Sequence, residues 1–360
     1  MTRGFDIVII GAGMAGASLA AELAGEARVL LLEAEDQPGY HSTGRSAAFW
    51  SESYGGRFIQ PLTTASRPFL EKHGLLTQRG GLHIAEAGAE AALDALEAEF
   101  GARVALDRLD RRQLEALVPG LRGGWTAGVL EPTCSDIDVA GLHQLYLGQA
   151  RAKGAKLVTG AAVEALARDQ RAWRVESPAG VFRAATIVNA AGAWADRVAA
   201  MAGVDPIGIQ PYRRTVSQLR IGPPVPAALP LVMDALERFY FKPEAGGRLW
   251  LSPHDETACD PCDCAPEELD VAMAIDRLER VVEWKVERVE HSWAGLRSFA
   301  PDRRPVYGFD PQADGFFWFA GQGGFGIQTA PAAARLAAAL LLERPPEIDP
   351  APFQPGRFAC

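Results

Sequence analysis

The chain has 360 residues, 48% of them hydrophobic, a formal net charge of −9 and a pI near 5.3. That length exceeds one compact domain and predicts two interleaved or tandem ones, while the acidic balance argues against nucleic acid or an anionic membrane surface as main partner. No apolar run reaches the about 18–20 residues that span a bilayer, and the first strand pattern starts at Phe5, which leaves no room for a secretory signal, so the expected compartment is the cytoplasm.

Residues 5–10 form an apolar, β-branched run that leads into Gly11-Ala12-Gly13-Met14-Ala15-Gly16. An Ala/Leu-rich helix is predicted over 17–23, then a second strand over 29–32 that ends in Glu33. Gly11 permits the tight turn, Gly13 lets a pyrophosphate approach the backbone, and Gly16 lets helix and strand pack closely. Free N–H groups at the helix N-terminus attract phosphates. Glu33, twenty residues beyond Gly13, is set to accept bonds from ribose hydroxyls and disfavours a 2′-phosphate. Strand, turn, helix and acid agree on dinucleotide binding.

Residues 39–48 read as a polar loop entering a helix, with hydroxyls, N–H groups and Arg45 suited to a cofactor's phosphates and ring edges. Residues 49–56 set aromatics beside Gly55-Gly56 and read as a mobile loop over a pocket. Apolar spacing predicts helices over 57–73, 89–100 and 110–117, and strands over 76–85, kinked at Gly80-Gly81, and 125–131. Turn residues at 132–136 mark a domain crossing. A helix over 139–153 starts from Asp136 or Asp138. Short strands at 155–158 and 161–166 and a hairpin over 173–183 follow. Residues 185–194 run from a buried strand through Ala190-Ala191-Gly192 towards a helix over 195–202, which allows a second close backbone approach. Strands are predicted over 207–221, 231–233, 239–242, 249–251 and 286–300, with a helix over 266–284. The last unit is a strand over 316–320, a glycine turn and a helix over 331–342, whose N-terminus favours negative charge. The Pro-rich tail, 346–360, is expected to be loosely ordered.

Five cysteines, an odd number, do not suggest a disulfide framework. His254, Cys259, Cys262 and Cys264 fall within eleven residues. Their Cys-x-Cys spacing is unusual for zinc, and Asp255, Asp260 and Asp263 read as a solvated loop, so no metal is expected. The dinucleotide motif lies at the extreme N-terminus, and small-residue turns near Ala191 and Gly324 offer contacts far along the chain. That arrangement suits FAD, wrapped by a discontinuous domain, better than NAD. Arg214 and Arg297 come from strands well apart in sequence. If they converge, their forked donors hold a carboxylate bidentately, and Tyr240 adds a hydroxyl.

These residues resemble the D-amino-acid oxidase superfamily of flavoproteins, and more closely the bacterial FAD-dependent D-amino-acid dehydrogenases of the D-arginine type. The resemblance runs over 5–343 and rests on four motifs: residues 38–48 (PGYHSTGRSAA), 188–194 (VNAAGAW), 293–299 (WAGLRSF) and 322–328 (QGGFGIQ). It implies an α/β fold with a discontinuous Rossmann-like FAD-binding domain, residues 1–75, 135–205 and 290–345, and a mixed α+β substrate domain, residues 76–134 and 206–289. It implies non-covalent FAD, held by Gly11, Gly13, Met14, Ala15, Gly16 and Glu33, then by Ser42, Thr43, Arg45, Ser46, Ala47 and Ala48. Val163 would meet the adenine side. Ala191, Gly192 and Trp194, together with Arg297, Gly323, Gly324, Phe325, Gly326 and Ile327, would complete the wall, and Gln328 would face the flavin pyrimidine. Arg214, Arg297, Tyr54 and Tyr240 would surround the substrate carboxylate, with Gly324 at the amine.

The implied activity is oxidative deamination of a D-amino acid to a 2-oxo acid and ammonia, by hydride transfer from Cα to flavin N5. The electron acceptor is left open among a quinone, an electron carrier and O2. Two departures bear on the substrate. Phe49 stands where the D-arginine type has a histidine, and no acid precedes Glu86 on the strand that holds Gly80-Gly81-Leu82. With Leu231 and Met233, Phe49 points to an apolar or aromatic side chain. Two alternatives keep the flavin: a sarcosine- or glycine-type amine oxidase, and a 2-hydroxy-acid dehydrogenase, which needs a base. A flavoprotein acting on RNA would need a basic face, against the −9 charge.

Overall fold

The computed structural model describes residues 3–169 and 172–358. Its first sheet is built on four parallel pairings. Strand Arg3–Ile10 lies between Val29–Leu32 and Gly180–Asn189, with Lys156–Val158 beyond the former and Phe316–Ala320 beyond the latter. The base of Gly180–Asn189 also pairs antiparallel with Ala172–Ser177, and Val306–Phe309 closes the other side. Both faces of the parallel strands are covered, as their continuous apolar character requires. Ile7, Ile9 and Leu31 pack under helices Met14–Leu23, Val139–Ala152 and Ala330–Leu341. Val8, Ile10, Leu30 and Leu32 pack on the opposite side with Trp173, Phe316 and Trp318.

The second sheet has nine strands, with Gln210–Gly222 and Lys285–Phe299 as its longest antiparallel pair. Residues 290–299, assigned from sequence to the cofactor unit, therefore pair into the substrate-side sheet. Its core lies beneath helices Glu268–Val281 and Arg111–Leu117. A small third sheet joins Phe49–Trp50, Ser135–Ile137 and Leu76–Gln78.

Several expectations are corrected. The single strand over 76–85 is two strands in two sheets, Leu76–Gln78 and Gly81–Glu86. The break falls where Gly80 takes a φ of +84° and donates its N–H to the Cys134 carbonyl. Residues 161–164 are not strand, because Ala161 N–H turns back to the Glu33 carbonyl (2.8 Å). The loop over 49–56 is pinned. The buried Glu131 carboxylate accepts from Ser51 Oγ, from the Glu52 amide (2.7 Å each) and from the Ser53 amide and hydroxyl.

Residues 346–358 are packed, not loose; Ala359 and Cys360 lie outside the described residues. Phe353 is 1% exposed against Tyr307, and Arg357 pairs with Asp302 (2.8 Å) and donates to the Arg304 and Pro305 carbonyls. Phe353→Ala should therefore lower unfolding stability by about 3 kcal/mol or more in urea titration. A midpoint equal to wild type would mean that the tail adds nothing to the core.

Candidate active site

A cavity of about 930 Å³ lies past the C-terminal ends of the parallel strands and extends to the second sheet. Ligand crevices of α/β sheets form at this edge. Every residue expected at cofactor or substrate lines it except Gly16 and Leu231, which is fully buried behind Met233 and Tyr240. Gly16 acts from behind the turn, where a Cβ would sit 1.9 Å from the Gly11 carbonyl oxygen.

At the nucleotide end, Gly11 has a φ of +99°, and a Cβ there would meet the Ala190 carbonyl oxygen at 2.5 Å. The two small-residue turns thus touch. Gly13 gives helix Met14–Leu23 no side-chain cap; Met14 N–H is held by Thr43 Oγ1 (2.9 Å), and the remaining first-turn N–H groups suit an anion. Glu33 is fixed by the Ala12 and Glu35 amides (2.8 and 3.0 Å), which aims its carboxylate while leaving lone pairs for hydroxyls. Further along the wall, Gln322 Oε1 accepts from Tyr307, while its buried Nε2 has no protein acceptor. That orphaned donor and the glycine cradle fit FAD.

Some expected contacts are taken by the protein. Arg45 donates to the Cys264 and Ala294 carbonyls (2.9 and 3.0 Å) and pairs with Asp263, so three of its five N–H donors are engaged by the protein although the residue lines the cavity. Ser42 donates to the Leu296 carbonyl (2.6 Å). Gln328 ties Ser51, Tyr54 and Thr63 together, holding the loop over 51–54 against the last helix.

At the other end, Arg214 stands opposite Gly295 and Arg297 opposite Tyr212 in one antiparallel pair. The two arginines are therefore diagonal neighbours on one face. Arg213, on the other face, pairs with Asp270 (2.8 Å) and Glu267. Arg297 bonds the Tyr54 hydroxyl, and Arg214 Nε donates to the Asp255 carbonyl (2.8 Å). A Cβ on Gly324 would fall 1.9 Å from Arg297 Nη2, so only glycine lets the guanidinium lie there. Burial, and next Arg297, lower the pKa of Arg214 from its ordinary value, though a guanidinium keeps its proton. Burial raises that of the Tyr240 phenol.

Sequence reasoning missed the anions that hold these cations. Asp255, read as solvated, has a side chain only 4% exposed; it accepts from Thr215 N and Oγ1 (2.7 and 2.9 Å). Glu256 Oε1 meets Arg214, Arg297 and Arg303 at 3.2, 3.1 and 2.9 Å. Arg303 itself lies over the Phe299 ring. Two further lining histidines, His83 and His254, were not assigned to the site. Burial lowers His83 to about 4, and burial with Arg214 and Arg297 lowers His254 to about 3. His254 Nδ1 contacts the Glu237 carbonyl, which only accepts, so the proton sits on Nδ1 and Nε2 carries the lone pair. The one available signal was the acidic pair beside His254, in a loop already suspected for its cysteines. Among the described residues no group of three or more His, Cys, Asp or Glu side chains could hold a metal ion, and no helix is long and apolar enough to cross a membrane.

Known proteins share this architecture. Glycine oxidase from Geobacillus kaustophilus is 25% identical over 98% of this chain and 97% of its own. Its crystal structure superposes with a TM-score of 0.87, covering 98% of each chain. Hydrogen cyanide synthase subunit HcnC from Pseudomonas aeruginosa is 28% identical over 69% of this chain and 59% of its own. Monomeric sarcosine oxidase from a Bacillus species is 27% identical over 60% and 58%. The match to HcnC thus spans under two thirds of that protein. Residues 6–340 match the family described as DAO, FAD dependent oxidoreductase, and the chain belongs to that family of FAD-dependent oxidoreductases.

Proposed function

We propose that this protein oxidises the C–N bond of a small α-amino acid of the glycine or N-methylglycine class, giving an imine that water hydrolyses to a carbonyl compound and ammonia or an amine. The convergence of Arg214 and Arg297 beside Gly324, on the cavity that holds the glycine cradle, carries this reading. The likeness to glycine and sarcosine oxidases supports it over the D-arginine type expected from sequence. A second reading, D-amino acids with an apolar side chain, is favoured by Met233, Leu231 and Tyr240 clustered with Phe49.

FAD, when bound, supplies the two-electron oxidant. The chain's own residues position the substrate. The guanidinia and the Tyr54 hydroxyl fix a carboxylate, and Gly324 leaves the neighbouring space open for an amine. Oxidation of an amine needs its nitrogen lone pair, not a protein base. A hydroxy acid needs a base, and His254 at about 3 is too weak a one. The protein thus favours an amine that arrives, or becomes, neutral.

Anaerobic mixing of the holoenzyme with glycine, sarcosine, D-alanine, D-methionine, D-phenylalanine and D-arginine tests the reading by flavin bleaching. Glycine or sarcosine should bleach fastest; D-methionine or D-phenylalanine ahead of both would establish the second reading, and bleaching only by a 2-hydroxy acid would overturn both. Gly324→Ala should retain FAD yet lose about 100-fold or more in kcat/KM, since Arg297 must move. Unchanged kcat/KM would remove Arg297 from the site. The acid limb of kcat/KM against pH should hold its position in His83→Gln and His254→Gln, because both imidazoles are already neutral there. A shifted limb would assign the ionisation to a histidine.

A further inference from the structure

The two clamp arginines converge on a carboxylate that the chain already supplies. Arg214 Nη2 and Arg297 Nη1 reach the same oxygen, Glu256 Oε1, at 3.2 and 3.1 Å. A carboxylate addressing both guanidinia needs that point. Arg303 Nη2 contacts both Glu256 oxygens, at 2.9 and 3.0 Å, from the solvent side. Arg303 is half exposed and stacked on Phe299, 3.9 Å from the ring centroid, so its position does not depend on Glu256 alone. The two acids also differ in freedom. Asp255 is 4% exposed and anchored by Thr215, whereas Glu256 is 32% exposed and, among the described residues, its carboxylate is bonded only by Arg214, Arg297 and Arg303. Its side chain can turn while the loop backbone stays.

Building on the carboxylate-clamp reading, we propose that Glu256 is an internal competitor for the substrate carboxylate. It bridges Arg214 and Arg297, and a substrate takes its place by passing it wholly to Arg303. The exchange keeps every charge paired: one carboxylate replaces another on the clamp, and Glu256 retains a guanidinium partner. It also sets specificity. A bare carboxylate gains little, because it only repeats what Glu256 provides. A ligand whose amine and carbon chain make further contacts gains enough to displace it.

Acetate is the probe, titrated into the FAD-loaded protein and followed by the shift of the visible flavin band, alongside KM and kcat for the best substrate of the panel. Glu256→Gln should bind acetate at least about tenfold tighter and lower KM more than kcat. Glu256→Asp keeps the charge but is one methylene too short to bridge the pair, and should bind acetate nearly as tightly as Glu256→Gln. Arg303→Met should weaken acetate binding in the wild-type background and much less in the Glu256→Gln background. If Glu256→Gln binds acetate no tighter than wild type, Glu256 is a fixed brace and the proposal fails. If Glu256→Asp matches wild type, only through-space charge is at work and it also fails. Arg297→Lys separates the two levels. Lost acetate binding there keeps the clamp whatever Glu256 does, whereas unchanged binding overturns the clamp and the role of Glu256 with it.

Discussion

Two guanidinium groups side by side on one face of a sheet are the costly feature of this molecule. Arg214 is 7% exposed, and burial together with repulsion from Arg297 works against its charge. Buried charge persists only where it is paired. Here the pairing comes from one connection, residues 253–267, which runs from strand Arg248–Ser252 through the short strand Thr257–Ala258 to helix Glu268–Val281. Asp255 neutralises from behind, Glu256 from in front, and the Asp255 carbonyl sets the rotation of Arg214. Remove the anions and the arginines have no reason to stay together; remove the arginines and a buried Asp255 is stranded.

The long pair of strands makes this arrangement possible. Arg214 faces Gly295, so nothing bulky separates it from Arg297 two residues on. Gly295 serves the cofactor side as well, because a Cβ there would press on Arg45 at 3.1 Å. The Ser42 hydroxyl and the Trp293 indole tie the same strand to the loop over 39–48, at 2.6 and 3.1 Å. One strand therefore carries Arg297 and buttresses the loop over 39–48, so the arginine pair and that loop are set in register by β-pairing rather than by flexible segments.

The nucleotide end was legible because its constraints are local. A glycine that needs a φ of +99°, and another whose Cβ would strike a carbonyl at 1.9 Å, leave their mark within a single turn. Arg297 was legible for a different reason: an arginine set among Trp, Gly and Phe is out of place on a solvated strand. The partners of Arg214 and Arg297 were not legible. Asp255 and Glu256 sit in an acidic, cysteine-bearing stretch that looks like surface, and only pairing across some forty residues brings them to Arg214. The split of 76–85 between two sheets and the docking of Phe353 escaped notice likewise, since both are decided by distant contacts, with the Cys134 carbonyl and with Tyr307.

The same loop links the two ends of the cavity. Beyond Glu256 it continues to Asp263, which pairs with Arg45 and accepts from the Tyr40 hydroxyl (3.0 Å), and to the Cys264 carbonyl, which also holds Arg45. Between these points Cys259 is bonded to strand Gln210–Gly222 through its N–H and carbonyl. An acidic strap is thus stitched to the clamp strands at one end and to the cofactor loop at the other. Arg45, expected beside the cofactor's phosphates, lines the cavity and also anchors this strap. Asp255, Glu256 and Asp263 of one strap thus pair with Arg214, Arg297 and Arg45 along a single wall of the cavity, so the charge balance of both ends rests on the same segment.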